Sequence, residues 1–290
     1  MRRIFTYEID AQSAGSRISD FLRKRGYSRH IMTHLKRTEK GILKNGEWAY
    51  VSQILEENDV LVITILEEEP SEHIVPVQMN LDIVYEDEDI MVVNKPADMP
   101  IHPSINNYEN TLANGVAYYF ASQGIPFTYR CINRLDRDTT GLLIIAKHML
   151  SASVLADMVK QRAIHREYLA IAAGEVPFEG TIDAPIARKE DSVIERCVDF
   201  ERGEHAVTHF KRLQYRSGYS LVSLKLETGR THQIRVHMKY LGYPLIGDFL
   251  YNPDYRILDH QALHSYKLSF RHPITGKKME FTKEPQWQLP

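Results

Sequence analysis

The stretch Asn133-Arg134-Leu135-Asp136-Arg137-Asp138-Thr139-Thr140-Gly141 sets two carboxylates among two guanidiniums, immediately before the apolar run Leu142-Leu143-Ile144-Ile145. A polar loop anchored on a buried strand holds a reactive group still, so it suits a nucleophile or an acid. Alone, it would serve equally well as a charged surface turn. Asp136 and Asp138 stand two apart on an extended chain and point to opposite faces, a poor arrangement for a glycosidase-like pair flanking one bond. A second polar segment, Thr228-Gly229-Arg230-Thr231-His232-Gln233-Ile234-Arg235-Val236-His237, follows an apolar run and opens a helix, with Thr231 or its neighbour able to cap it. Arg230, Ile234 and His237 fall within reach of one helical face, as do Thr231 and Arg235. His232 and His237 have the wrong spacing for metal ligands on adjacent turns, and no glutamate base sits between them, so no metal is expected. Arg and His at a helix start suit phosphate contacts.

Other chemistries lack their residues. The sequence has no GxGxxG fingerprint and no GxxxxGK[ST] loop, so no nucleotide cofactor is expected. Cys131 and Cys197 are the only cysteines and form no CxxC, which excludes a disulfide framework and a cysteine zinc site and makes a reducing cytoplasm the default. The charged start Met1-Arg2-Arg3 has no apolar stretch behind it, and no apolar run is long enough to span a bilayer, so no membrane association is expected.

The elements that must position these segments are legible in outline. With 290 residues, 43% of them hydrophobic and 26% charged, the composition is that of a globular protein too long for one core, which suggests two unequal domains. The net charge of −2 argues against nucleic-acid binding by total charge, but the charge is unevenly placed. Nine Lys/Arg lie between Arg17 and Lys44 against Asp20 and Glu39, whereas Glu56 to Glu72 carries seven acids and no base. Ile18, Phe21 and Leu22 have helical spacing, and Ser28 caps a second helix with Ile31, Met32 and Leu35 on its apolar face. Asn45-Gly46 between Ile42-Leu43-Lys44 and Trp48-Ala49-Tyr50 marks a two-residue hairpin, and Val60 to Leu66 a further strand. Arg17, Arg23, Lys24, Arg25, Arg29, Lys36 and Arg37 fall mostly off the apolar faces. They make either a solvated charged surface or the footprint of a protein that tracks a phosphate backbone.

An acid-, Pro- and Ser-containing linker near 67–78 precedes a second unit. Leu81 to Tyr85 and Ile90 to Asn94 form a hairpin whose turn, Glu86-Asp87-Glu88-Asp89, is kept soluble by its charges. Helices are predicted over Thr111 to Phe120 and Ser151 to Val159, the latter with Val154, Leu155, Met158 and Val159 on one face. Leu142 to Ala146, Glu167 to Ala172, Ala206 to Tyr215 and Leu221 to Leu226 read as strands. Long strands with few helices imply an α+β fold around a mixed sheet.

Taken together, Asn133 to Gly141, Arg166-Glu167-Tyr168-Leu169-Ala170, Gly229 to His237 and Leu241-Gly242-Tyr243-Pro244-Leu245-Ile246-Gly247-Asp248 resemble the RluA-type pseudouridine synthases. Val92-Val93-Asn94-Lys95-Pro96, Leu263-His264 and Phe270-Arg271-His272-Pro273 fit the same family, so the resemblance covers roughly residues 80 to 285. The helix-helix-hairpin unit before it resembles the ribosomal S-four-like RNA-binding domain. The resemblance implies a small α+β RNA-binding domain over 1–75. It also implies a catalytic domain over 79–290, built on a mixed, largely antiparallel β-sheet flanked by helices. The implied partner is RNA, most readily large-subunit ribosomal RNA, with transfer RNA as the alternative, met by a monomer that needs no cofactor. The implied reaction detaches uracil from its ribose, rotates it and rejoins it through a ring carbon.

By the same resemblance, Asp136 is the essential aspartate, Tyr168 the aromatic that stacks on the base and Arg235 the partner of Asp136. Arg134 helps hold the nucleotide, Ile234 lines the uracil pocket, and Arg230 and Thr140 are further substrate contacts. Physical chemistry agrees with these roles. Breaking the glycosidic bond develops positive character on the sugar, which an ionised Asp136 meets as nucleophile or base. If the Arg235 guanidinium is bidentate, pairing is expected to outweigh desolvation and keep Asp136 charged at neutral pH. The target base must be flipped or taken from a loop, and Tyr168 offers a ring to receive it.

Four positions depart from the family pattern. Asn133 stands for the usual His and Thr140 for Ser, both keeping a polar side chain beside the nucleophile. Asp98 and Ser104 stand for glycines, and Asp tolerates left-handed geometry. The acidic segments 56–72 and 86–89 are expected to face away from RNA. The competing class is a noncatalytic RNA-binding ribosome assembly factor, which needs the basic helices but not Asp136, Tyr168 and Arg235 in three separate segments.

Overall fold

A computed structural model describes all 290 residues. The first six elements are β1 (Arg2–Glu8), α1 (Ile18–Lys24), α2 (Arg29–Arg37), β2 (Ile42–Lys44), β3 (Glu47–Trp48) and β4 (Val60–Leu66). They make a four-stranded antiparallel sheet in the order β1-β4-β2-β3, covered by the two helices. Asn45 and Gly46 both take positive φ, the geometry a two-residue hairpin demands, and the Ser28 hydroxyl accepts from the Ile31 amide at 3.3 Å. Ile18, Leu22, Ile31, Leu35, Leu61 and Ile63 are fully buried in the core of this unit. β1 was not anticipated. Its Arg2-Arg3 start disguises a strand whose Phe5 reaches the core while its charged residues stay at an edge.

Fourteen further elements follow: β5 (Asp82–Glu86), β6 (Ile90–Lys95), α3 (Leu112–Ala121), β7 (Thr140–Ala146), α4 (Met149–Lys160), β8 (His165–Ala173), β9 (Glu179–Asp183), β10 (Ile186–Arg188), β11 (Arg196–Val198), β12 (Val207–Arg216), β13 (Tyr219–Leu226), α5 (Gln233–Tyr240), β14 (Leu263–Arg271) and β15 (Lys278–Thr282). Nine of the strands form one sheet, ordered β5-β6-β7-β14-β8-β13-β12-β9, with β15 also pairing with β14. Only β7 and β14 run parallel, so the sheet is mixed and largely antiparallel, as the resemblance implies. β6 and β7 are central and buried on both faces, which is why they read as unbroken apolar runs. Met91, Val93, Leu143 and Ile145 pack on one side with Phe120 of α3 and Met238 of α5. Ile90, Val92, Leu142 and Ile144 pack on the other with Leu155 of α4. Gly141 has φ +109°, and a Cβ there would lie 2.4 Å from the Ser265 carbonyl oxygen, so the start of β7 can approach β14 only as glycine.

Several expectations need correction. Val159 is exposed; α4 buries Leu150, Ser151 and Leu155, and its Leu150 joins the core of the N-terminal unit. The acidic turn before β6 is not a solvated one. Asp89 is buried, receives Arg3 Nε at 2.8 Å and lies 3.0 Å from His148 Nε2, while Asp87 meets His272 at 2.9 Å. Burial raises the Asp89 pKa, but the His148 and Arg3 hydrogen bonds outweigh it and hold the carboxyl at about 2. Glu67 likewise is not a free linker residue. It is buried, pairs with Arg130 and accepts the Met149 amide at 3.0 Å. These contacts fasten the N-terminal sheet to the large one. Thr231 caps nothing. The N-cap of α5 is His232 in the left-handed region, with no side-chain cap bond; instead Gln233 Oε1 accepts from the Arg230 amide at 2.9 Å and the Thr228 hydroxyl at 2.8 Å.

Candidate active site

The loop 133–139 projects from the edge of β7. Asn133 does not sit beside Asp136 as a polar neighbour. It turns inward, where its Oδ1 accepts the Ile144 amide at 2.9 Å and pins the loop to the strand. Lys95, at the end of β6, closes the loop from beneath, donating to the carbonyls of Pro96 and Arg137, both at 2.7 Å. Burial pulls the Lys95 pKa down to about 7 although the charges of Asp138 and Asp136 oppose it. Asp98 has φ +53°, the left-handed geometry that its replacement of glycine suggested.

Asp136 meets Arg235 of α5, with Oδ2 and Nη1 3.0 Å apart. Arg235 is 1% exposed, and its other edge is gripped by Asp248, itself fully buried, through Nε–Oδ2 at 2.7 Å and Nη2–Oδ1 at 2.8 Å. Phe249 and Tyr251 cover the guanidinium at 5.3 and 5.0 Å from their ring centroids. Asp248 Oδ1 also accepts the amides of Leu250 and Tyr251 at 3.0 and 3.1 Å. Burial lowers the Arg235 pKa, but the hydrogen bonds and charges of Asp248 and Asp136 carry it above the ordinary arginine value. The result is a fixed cation with two arms committed to Asp248 and one aimed at Asp136. Gly247 permits this: its φ is +68°, and a Cβ would fall 2.1 Å from the His260 carbonyl oxygen.

Tyr168 of β8 and Ile234 of α5, both 4% exposed, line the same pocket as Asp136, together with Leu135, Leu226 and Leu263. The Tyr168 hydroxyl has no hydrogen-bond partner in the protein, so its ring faces the pocket without internal commitment. Arg134 stands exposed at the rim with no carboxylate partner. Arg230 is also at the rim, but pairs with Glu204 and donates to the His205 carbonyl at 3.1 Å. Thr140 is not brought to the pocket. Its hydroxyl is 2.7 Å from His264 Nδ1, and His264 Nε2 is 2.8 Å from the Lys283 carbonyl oxygen, which makes it a strand-to-strand tie. His237 is buried between the Thr208 hydroxyl and the Ala184 carbonyl. Arg17, Arg23, Lys24, Arg25, Arg29, Lys36 and Arg37 are all exposed on the N-terminal helices and line no part of this pocket; Arg25 lies 3.5 Å over the Phe21 ring.

Three participants were not assigned roles from sequence. Asp248 was visible within a motif, but nothing local showed that it would grip Arg235. His232 sits 3.9 Å from Asp136 through Nε2, with Nδ1 2.9 Å from the Tyr251 hydroxyl. Burial lowers the His232 pKa, despite the opposing charge of Asp136, so the ring stays neutral at pH 7. Tyr251 is the third. Cys131 is no nucleophile: burial pushes its thiol up to about 12. Asp87, Asp89 and His272 converge as metal ligands would, but Arg3, His148 and Tyr85 already occupy their oxygens.

A family model described as RNA pseudouridylate synthase matches residues 89–240, which hold Asp136, Tyr168 and Arg235. The chain belongs to the RNA pseudouridylate synthase family. Among relatives, an uncharacterized RNA pseudouridine synthase of Bacillus subtilis (strain 168) is 40% identical over 91% of this chain and 93% of its own. Ribosomal large subunit pseudouridine synthase D of Neisseria meningitidis is 35% identical over 94% of this chain and 76% of its own. Human RNA Pseudouridylate Synthase Domain Containing 1 superposes with a TM-score of 0.61 at 28% identity, covering 75% of this chain and 86% of that structure. Membership makes the protein an isomerase that acts on RNA. The matched residues bring a carboxylate paired with a buried cation and an aromatic ring onto the walls of one pocket.

Proposed function

We propose that the protein converts uridine to pseudouridine in large-subunit ribosomal RNA, as a cytoplasmic monomer. The observation that carries this reading is the convergence of Asp136, Arg235 and Tyr168 from three distant segments on one apolar-lined pocket. The relatives named as large-subunit synthases, one of them spanning 94% of this chain, support the ribosomal target over transfer RNA. Asp136 acts at the sugar, as nucleophile or base, while the bond from C1′ to N1 breaks. Uracil turns against the Tyr168 ring, a bond from C1′ to C5 forms, N1 takes up a proton and C5 loses one. Arg235 supplies the counter-charge, and neutral His232 leaves the field at Asp136 undisturbed. Residues 1–75 act as an S-four-like RNA-binding unit whose exposed bases orient the substrate.

The test is tritium release from ring carbon five of uridine, in ribosomal and transfer RNA from cells lacking this gene. Wild type releases tritium from ribosomal RNA, and Asp136→Asn loses roughly 10⁴-fold in turnover while still binding it. Release from transfer RNA alone would reverse the assignment of substrate. Equal turnover by Asp136→Asn would refute the site.

A further inference from the structure

We propose that a second groove, opening off the Asp136 pocket, carries the RNA strand that flanks the target nucleotide, and that α4 joins it to the basic helices α1 and α2 in one track. This inference rests on the reading of the protein as a uridine isomerase and names where its substrate lies. The groove has a volume of about 1010 Å³ and runs between the C-terminal end of α4 and strands β8, β13, β14 and β15. It shares Arg134, Arg166, Leu226, Gly229 and Arg230 with the Asp136 pocket, so the two spaces are continuous.

Its charge differs from that of the chain. Seven Lys/Arg line it against three Glu, in a protein of net charge −2. Arg134 and Arg166, at the junction with the pocket, have no carboxylate partner, and phosphates are the groups such free guanidiniums bind in bidentate fashion. Further out, Arg162 and Glu227 are 3.7 Å apart, a loose exposed pair that a phosphate displaces at little cost, while Lys225 reaches at 3.6 Å the half-buried Glu167, which also accepts the Ser223 hydroxyl at 2.7 Å. Arg162 also sits at φ +57°, where glycine or asparagine is favoured over a long side chain. Its charge is therefore kept against its backbone preference, which points to use rather than packing.

α4 supplies the continuity. Its Leu150 lies in the core that α1 and α2 share, and its Val154 packs against Gly26, between the exposed Arg25 and Arg29. Lys160, at the far end, lies roughly 9 Å further along the helix axis and borders the groove. A strand entering the pocket from this side thus passes from the basic helices along α4, where the exposed Asp157 is paired with Lys160 at 3.3 Å, to Arg166.

The probe is a fluorescein-labelled oligouridylate of about 20 nucleotides, its binding to the full-length protein followed by anisotropy across a salt series. Lys160→Gln/Arg162→Asn is expected to flatten the slope of log K against log salt by roughly 1.4, two contacts at about 0.7 each. Lys211→Gln/Lys277→Gln, the same charge change away from the groove, leaves the slope unchanged. Arg162→Gly is expected to raise the melting temperature while weakening binding, a split that a structural role does not produce. An unchanged slope in the groove variant, an equal change in the control, or no wild-type binding overturns the proposal. These readouts are independent of turnover: normal slopes without tritium release sink the isomerase reading instead, and turnover with an insensitive slope sinks the groove alone.

Discussion

Replacing Asp248 by Asn tests whether the active-site carboxylate is held in place by a residue that does not face the pocket. The native pair is bidentate and dry: Arg235 is 1% exposed and Asp248 fully buried, with two bonds of 2.7 and 2.8 Å. Asn preserves volume but removes the charge and turns one acceptor into a donor aimed at a guanidinium that only donates. Breaking a buried pair from one side costs about 3–5 kcal/mol. Asp136, 3.0 Å from Nη1, still offsets part of this, so we expect about 2–3 kcal/mol in the protein, seen as a fall of roughly 5–10 °C in melting temperature. The functional effect has a different origin. A guanidinium released from Asp248 swings toward its one remaining carboxylate, closes on Asp136 and shifts it from the sugar. A displacement of about 1 Å costs on the order of 10²-fold in rate. The assay is tritium release under saturating RNA, well below the melting temperature of the variant. We expect kcat to fall by that factor, with KM within about twofold. A variant that melts early but turns over normally would show that Asp248 only stabilises the fold. One that melts normally would refute the energetics.

Three further outcomes are expected. Burial lowers the His264 pKa to about 4, against the bond to the Lys283 carbonyl, so the folded protein holds the neutral ring where the unfolded chain takes a proton at about 6.5. Its contribution is therefore complete above pH 6.5 and lost as pH falls toward 4, about 3 kcal/mol in all; urea unfolding at both ends of that window should show the loss in wild type and a smaller one in His264→Gln. Tyr168→Phe should bind RNA as wild type does, because the hydroxyl has no internal partner, whereas Tyr168→Ala should weaken binding by about 1–3 kcal/mol of stacking, measured by anisotropy. Arg3→Gln leaves Asp89 buried without its guanidinium 2.8 Å away, so the melting temperature should fall by a few degrees and amide exchange in β1 should accelerate.

What was legible in the sequence is what local pattern controls. The apolar run of β7 announced a buried strand and that of β6 one arm of a hairpin, Asn45-Gly46 announced its turn, and Ser28 its helix. Partners far apart in the chain were not legible. The acids of 86–89 read as a solvated turn because Arg3, His148 and His272 lie 86, 59 and 185 residues from them. Asn133 and Thr140 failed as pocket residues for a simpler reason. Being near Asp136 in sequence does not set the direction of a side chain, and both turn to strand neighbours, the Ile144 amide and His264. β1 was missed because an edge strand tolerates the arginines that made its first residues look unstructured.

The formal charge of −2 looked unfavourable for an RNA enzyme, and the structure resolves that through placement. Asp248, Asp89, Asp59 and Glu67 are all buried and hydrogen-bonded, so their fields end on Arg235, Arg3, Lys44 and Arg130 and not in solvent. Asp89 also meets His148 at 3.0 Å and Asp87 meets His272 at 2.9 Å. Arg134 and Arg166, by contrast, carry no such partner, and they stand at the mouth of the pocket. A polyanion approaching this face meets guanidiniums whose charge is not already spent on a carboxylate. Steering depends on that local potential, which falls off within about 8–10 Å at physiological salt, and not on the sum over the chain. Net charge therefore does not decide what this face attracts; the unpaired guanidiniums at the mouth of the pocket do.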